Sequence, residues 1–249
     1  MDSTTRFSKR AEDYARYRPS YPSDAIAAIL DGFTKPRVAD LGAGTGISSI
    51  LLANAGARVY AIEPNAAMRA AIPLRPDIEL IDGTAESTNL RDRSVDVVTA
   101  FQAYHWFDHD LVLTEAERIG RRRVRFAAVW NERDETDPFM LAYSDIIRRY
   151  MADDTESRRR ATTVDGDLRD RGWTDVRVLD FRHAMPIDWY GLIGRTRSAS
   201  YLPREGPAYE TMAAELRALY DRAGELGGAF GRWLRKVGLR GRPELGLRR

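Results

Sequence analysis

The sequence predicts an α/β fold: a doubly wound, Rossmann-like, mostly parallel sheet with helices on both faces and a helical cap. Three observations carry that prediction. Short apolar runs alternate with helical patterns from residue 36 to 130, and such alternation demands parallel pairing through right-handed crossovers. The first predicted strand meets its helix in the glycine-dense stretch "VADLGAGTG" (38–46). The 249 residues, 43% hydrophobic and 31% charged, suit one globular domain, or a domain with a small appendage.

Each element has its own justification. "RVADL" (37–41) reads as a buried strand, and "GISSILLANAG" (46–56) as a helix closed by Gly56, a good left-handed terminator. "ARVYAI" (57–62) is a second strand. In "NAAMRAAI" (65–72) Asn65 is placed to cap a helix and Pro73 to stop it. "DIELI" (77–81) and "VDVVTAF" (95–101) are the third and fourth strands. The amphipathic "HDLVLTEAERIG" (109–120) leads to a fifth, "VRFAAVW" (124–130). Further on, "PFMLAYSDIIRRYM" (138–151) and "AYETMAAELRALYDRA" (208–223) read as helices and "DVRVLDF" (175–181) as a strand. "DWYGLIGRTRSASYLP" (188–203) is aromatic-rich and polar at once, and "YARYRPSYP" (14–22) fits no sheet position. Both suit lids over one edge of the sheet. The expected division is an N-terminal helical lid (1–35), a ligand-binding core (36–185), a cap for a second ligand (186–236) and a tail (237–249) that offers the core a last strand.

Composition excludes several chemistries. Without cysteine there are no disulfides, thiolate metal sites or cysteine nucleophiles. No histidine–carboxylate spacing suggests a metal. The charged start "MDSTTRFSKRAEDYARYRP" is unlike a secretory signal, and no apolar run approaches the roughly 18 residues of a membrane span. A cytoplasmic protein without a membrane partner is expected. Of 39 basic residues only Lys9, Lys35 and Lys236 are lysine; this arginine excess reads as a coding bias. "RRRVR" (121–125) and "SRRRA" (157–161) lack interleaved aromatics, so they read as solvated surface and no nucleic-acid partner is expected.

The glycine turn is where a ligand is expected. In a doubly wound sheet the ligand lies at the carboxyl ends of the strands, and glycines let it approach the backbone, while free N–H groups at the helix start favour negative charge. The dinucleotide fingerprint wants glycine at its first, third and sixth positions; here these are Gly42, Gly44 and Ile47, so the sixth fails. Glu63 closes the second strand, where a carboxylate can accept both hydroxyls of a ribose. Alone it fits NAD as well as another adenosine ligand, and the glycine register favours the latter.

At these residues the sequence resembles the class I S-adenosylmethionine-dependent methyltransferases, in the group with small-molecule acceptors. "VADLGAGTG" is similar to their first motif and "VYAIEPNAAM" (59–68) to their second. "IDGTAESTNL" (81–90) and "VDVVTAFQAYHWFD" (95–108) resemble the segments at strands three and four, the latter with a His-Trp pair. The resemblance covers residues 10–135 well and the remainder loosely, "GLIGRTRSASY" (191–201) being similar to the cap of relatives with that pair.

What the resemblance implies can be written residue by residue. Gly42, Gly44, Thr45 and Gly46 would face the methionine part of S-adenosylmethionine. Asp40 would orient the loop, or the cofactor's amino group through water. Glu63, with Pro64 beside it, would hold the ribose, and Met68 would pack on the adenine. Thr84, Ala85 and Glu86 would contact the adenine edge; many relatives have aspartate where Thr84 stands. Phe101 and Gln102 would line the floor. Arg18 could pair with the cofactor carboxylate, with Tyr14 beside it.

For the acceptor, His105 borders the methyl group in such a fold and would act as a base or as a substrate ligand, since neutral imidazole can take a proton from a hydroxyl or ammonium. Tyr21, Trp106, Trp130, Trp189 and Tyr201 would bound the acceptor or fill the core. Arg197 would meet an anionic group. His109 and His183 read as surface or packing residues. The expected activity is methyl transfer to oxygen, nitrogen or carbon of a small molecule in secondary metabolism, by a monomer or homodimer. The alternatives are an NAD-dependent oxidoreductase and a non-catalytic cofactor-binding partner protein.

Overall fold

The computed structural model describes residues 20–152, 164–199, 201–225 and 230–241, with backbone alone for 183–186 and 224–241. These form two compact units: one from 20–130, 164–181 and 236–241, the other from 131–152, 182–199, 201–225 and 230–235.

The first unit is the predicted parallel sheet. Strands β1 (Arg37–Leu41), β2 (Arg58–Ile62), β3 (Ile78–Ile81), β4 (Val95–Phe101) and β5 (Gly120–Arg133) lie in the order β3-β2-β1-β4-β5, every pairing among them parallel. The order continues through β8 (Phe230–Gly241) to β6 (Thr174–Asp180), which runs antiparallel to residues 236–241 of β8. Strand β5 begins four residues before the apolar run that predicts it and includes the arginines 121–123, because ladder pairing, rather than hydrophobicity, sets where a strand ends.

Alternation along each strand separates two cores, since successive side chains point to opposite faces. Val38, Val59, Ala61, Val97, Ala127 and Val129 pack with helices α1 (Ser23–Leu30) and α2 (Ile47–Asn54). Leu41, Ile62, Val98, Ala100, Phe126 and Ala128 pack with α4 (His109–Ile119) and α6 (Val164–Asp170). Between β2 and β3, the short α3 (Ala66–Ala70) starts at Asn65, whose side chain accepts from the amides of Ala67 and Met68, as its cap position predicts. The parallel register, Leu41 beside Ile62 and Phe101 beside Val129, gathers the loops after β1, β2 and β4 at one end of the sheet.

The second unit packs α5 (Pro138–Arg149), α7 (Trp189–Ser198) and α8 (Gly206–Glu225) through Met140, Tyr143, Ile147, Leu192, Met212 and Leu216. Its α7 falls inside the 188–203 stretch, where Asp188 caps the helix by accepting from the Gly191 amide. Strand β7 (His183–Pro186) pairs antiparallel with residues 230–233 of β8. Among the described residues no helix is long and apolar enough to cross a membrane.

One expectation is corrected. Arg121 and Arg125 of the 121–125 cluster are not merely solvated. Arg121 pairs with Asp96. Arg125 is half-buried, stacks over Phe33, and donates through Nη1 to the carbonyls of Ile29 and Asp31, both at 2.8 Å. It satisfies the open end of α1, where the helix leaves carbonyls without partners and a cation is favoured. Arg125→Ala should therefore lower unfolding free energy by about 1–2 kcal/mol, the scale of hydrogen bonds to a partly screened charge, read from urea denaturation; an unchanged midpoint would refute the cap.

Glu115 on α4 gives a pH dependence. Burial pushes its carboxyl up, but donation from Arg118 and from the hydroxyl and amide of Thr88 outweighs this and leaves it below the usual range. A carboxylate held lower in the folded state stabilises above its unfolded value and loses that contribution as pH falls through the folded one. Wild type should thus lose stability as pH drops below about 4.3. Glu115→Gln should flatten that limb and cost about 1–3 kcal/mol at neutral pH, both measured by denaturant titration across pH.

Candidate functional site

The turn from β1 into α2 is held from beneath by one buried carboxylate. Asp40 is fully buried; its Oδ2 accepts from Ser48 Oγ at 2.6 Å and Ser49 Oγ at 2.7 Å, and its Oδ1 from Thr99 Oγ1 at 2.9 Å. Burial pushes its carboxyl up and the three hydroxyls oppose that rise. These contacts run to α2 and to β4, so Asp40 ties the start of the helix to the neighbouring strand.

Above it, Gly42, Gly44 and Gly46 take φ of +65°, +59° and +83°, the left-handed region that residues with a Cβ rarely adopt. Their surroundings differ. A Cβ at Gly42 would stand 3.0 Å from that of Ala103, and one at Gly46 2.8 Å from Ile72, whereas one at Gly44 would meet only the Met68 methyl at 3.5 Å. Packing within the protein thus demands two of the glycines, and the middle one is the open position. Between them Thr45 is buried, and its Oγ1 has no hydrogen-bond partner among the described residues. The residue that precedes α2 is Gly46, which has no side chain to cap its first turn.

Glu63, at the end of β2, faces this loop. Its Oε2 accepts from the Gly44 amide at 2.8 Å and its Oε1 from the Asn65 amide at 2.9 Å. Burial raises its carboxyl, opposed by those two amides and by the nearby Arg69, which itself donates to the Glu63 carbonyl and to Asp82. A carboxylate oxygen has two acceptor sites, so each oxygen can take a second donor. Pro64 beside it is exposed and Met68 is buried.

The remaining positions border the same end of the sheet. After β3, Ser87 donates to Thr84 Oγ1, closing a turn; Ala85 is buried, and Glu86 accepts from the Asp108 amide at 3.1 Å. Phe101 ends β4 edge-on to Tyr21, ring centroids 4.7 Å apart. Gln102 follows with φ +55° while its amide bonds the Val129 carbonyl, strain of a kind that clusters at functional sites. His105 and Trp106 lie in a 3-10 turn over Tyr104–Trp106, and His105 Nδ1 accepts from the Trp130 indole at 3.4 Å. His109, on α4, stacks on Tyr104 and sets its Nδ1 2.9 Å from Asp167.

Arg197 and Tyr201 belong to the other unit: Arg197 is exposed on α7, and the Tyr201 carbonyl accepts from the Ala152 amide. Trp189 packs there under Arg217. Tyr14 and Arg18 lie outside the described residues, as does the His183 side chain. The sequence reading misses Ser48, Ser49 and Thr99 as partners of Asp40; the adjacent serines at the helix start were the available signal. Among the described residues no cluster of histidine and carboxylate could hold a metal.

Comparison with known proteins matches residues 39–128 to a methyltransferase-domain family. An uncharacterized methyltransferase of Mycobacterium tuberculosis is 40% identical over 152 residues, 59% of this chain and 61% of that protein. The chain thus spans about three-fifths of the length of these curated relatives. A structure from Anaeromyxobacter dehalogenans, described as a type II methyltransferase, superimposes with a TM-score of 0.63 at 23% identity over 92% of this chain and 99% of that one. An N-methyltransferase of Haemonchus contortus, solved with S-adenosylhomocysteine and phosphomonomethylethanolamine, gives 0.54 at 13% identity over 93% and 57%; these two likenesses concern the fold. The parallel order β3-β2-β1-β4-β5, the left-handed glycine turn and the family match fall on the same stretch: residues 39–128 are similar to a methyltransferase domain.

Proposed function

We propose that the protein binds S-adenosylmethionine at the β1–α2 turn and transfers its methyl group to an oxygen, nitrogen or carbon atom of a small molecule. The observation that carries this reading is Glu63: its carboxylate lies against the Gly44 amide and keeps an acceptor site on each oxygen, the arrangement that two vicinal sugar hydroxyls need. Two further features suit the same ligand. The hydroxyl of Thr45 is buried without a partner among the described residues, an unfavourable state unless something else supplies one. Gly44 leaves its Cβ direction open but for Met68, where a flat apolar group could lie on the thioether.

Bound there, S-adenosylmethionine supplies a methyl group already activated by its sulfonium. The chain's own work is then positional. Glu63 would hold the ribose, the glycine loop the amino-acid part, Met68 and the 84–86 turn the adenine, with Phe101 and Gln102 beneath. Aligning nucleophile, carbon and sulfur and excluding water can supply much of the rate. The acceptor side would draw on His105 and Trp106, with Tyr21 close to the cofactor floor through Phe101. A place in secondary metabolism accords with a small-molecule acceptor.

Isothermal titration should show S-adenosylmethionine and S-adenosylhomocysteine binding to the wild type and NADH not binding. Glu63→Gln should weaken both by about tenfold to a hundredfold, the worth of hydrogen bonds to a charged acceptor, with circular dichroism unchanged. Equal binding by the variant removes Glu63 from the site, and binding of NADH alone removes the reading. Thr45→Val, nearly isosteric, should cost about fivefold in the same titration; no loss means that its hydroxyl meets no ligand. Mass spectrometry of small molecules that co-purify would identify the acceptor.

A further inference from the structure

The carboxylate at the end of β2 has a charged neighbour outside the glycine turn. Arg69, on α3, reaches back toward β2. Its Nη1 donates to the Glu63 carbonyl at 2.6 Å, and its fork meets Asp82, Nη1 to Oδ1 at 3.2 Å and Nη2 to Oδ2 at 3.1 Å. The Asp82 carbonyl in turn accepts from Asn89 Nδ2 at 2.8 Å, which closes the 82–89 loop on itself. One guanidinium thus ties the end of β2 to the loop after β3.

The two attachments are unequal. The Arg69 side chain is 19% exposed and that of Asp82 74%. An ion pair with one partner so largely in water contributes little. The bond to the Glu63 carbonyl is partly buried, and a charged donor makes such a bond stronger. The guanidinium is therefore held beside Glu63 with or without Asp82. Burial raises the Glu63 carboxyl; the amides of Asn65 and Gly44 and the charge of Arg69 oppose that rise, and the charge of Asp40 adds to it. The charged groups that act on Glu63 are thus Arg69 from α3 and Asp40 from β1, with Asp82 beyond the guanidinium.

We propose that Arg69 is a positioning residue for the nucleoside site: its guanidinium holds the end of β2 in place and stands as the countercharge to the Glu63 carboxylate. The inference rests on the functional reading above for its ligand, though not for the effect of Arg69 on Glu63. Two vicinal hydroxyls need an acceptor on each carboxylate oxygen. A protonated carboxyl turns one oxygen into a donor and gives up the charge that strengthens both bonds. The sign follows. Removing the positive charge raises the pH at which Glu63 takes up its proton, so the grip on a ribose is lost at a higher pH than in the wild type.

Carbon NMR of the full chain, labelled at the glutamate carboxyls, reads this effect without a ligand, with Glu63 assigned by Glu63→Gln. Arg69→Gln should move the Glu63 midpoint to higher pH. Arg69→Lys, which keeps the charge, should hold it near that of the wild type. An unmoved midpoint in Arg69→Gln overturns the proposal. Isothermal titration with S-adenosylhomocysteine reads the consequence. Arg69→Gln should lose about threefold more affinity at about pH 5.5 than at about pH 8, and Arg69→Lys should restore most of it. An equal loss at both pH values makes the part of Arg69 merely structural and overturns the proposal.

Asp82→Asn is the control, and it decides if Arg69→Gln does not fold. It removes the outer ion pair and leaves the guanidinium on the Glu63 carbonyl. The Glu63 midpoint should not rise, and affinity should stay within about twofold of the wild type. A larger loss, even across pH, shows that the link to the β3 loop matters and the charge does not, and overturns the proposal. Failure of S-adenosylhomocysteine to bind the wild type, with the Glu63 midpoint moved as expected, instead refutes the functional reading and leaves the Arg69 effect standing.

Discussion

The end of this sheet where the β1, β2 and β4 loops gather depends on a carboxylate that no solvent reaches. Taking Asp40 out of water costs several kcal/mol unless partners replace the lost hydration. Ser48, Ser49 and Thr99 are those partners, and each belongs to an element that must be in place first. Thr99 lies opposite Asp40 in the parallel register of β1 and β4. The serines arrive only if the chain turns sharply out of β1 into α2, which three left-handed glycines permit. The turn is thus anchored by burial of charge beneath it, while Glu63 takes the Gly44 amide and the buried Thr45 hydroxyl has no partner among the described residues. A strained Gln102 at the end of the neighbouring strand completes the rim.

Much of this is legible in the sequence, because strand alternation and glycine spacing are local signals. Strand β4 is found to the residue, and the Asn65 cap follows from a side chain acting on the next three residues. Helix α7 is harder to read: Trp189, Tyr190, Arg195 and Arg197 mix aromatic and charged types, and only the Asp188 cap signals a start. Strand β8 owes its place to pairing with β6 and β7, which are near it in space and distant along the chain. Long-range contacts of that kind leave no local period to detect. Arg125 shows the same limit, since nothing near it announces that its partners are the carbonyls of a helix some hundred residues earlier.

The glycines repay a closer reading. Close approach of a ligand and close packing of the protein both forbid a Cβ, and sequence spacing does not distinguish them. Gly42 and Gly46 are surrounded by Ala103, Phe107 and Ile72 of the protein itself, and only Gly44 opens outward. The motif therefore joins two glycines that the fold requires to one whose Cβ direction is open but for Met68, within five residues.

Glu63 joins them within one side chain. Because its two oxygens already clasp the amides of Gly44 and Asn65, the carboxylate helps to shape the loop whether or not anything binds. A descendant in which nothing bound at this turn would still be selected to retain it, as a stitch between two neighbouring turns. Thr45 is under no such obligation: its hydroxyl serves nothing within the described protein, so evolutionary drift should erase it early. Across a lineage, loss of the threonine with retention of the acid would separate the demands of a ligand from those of the fold.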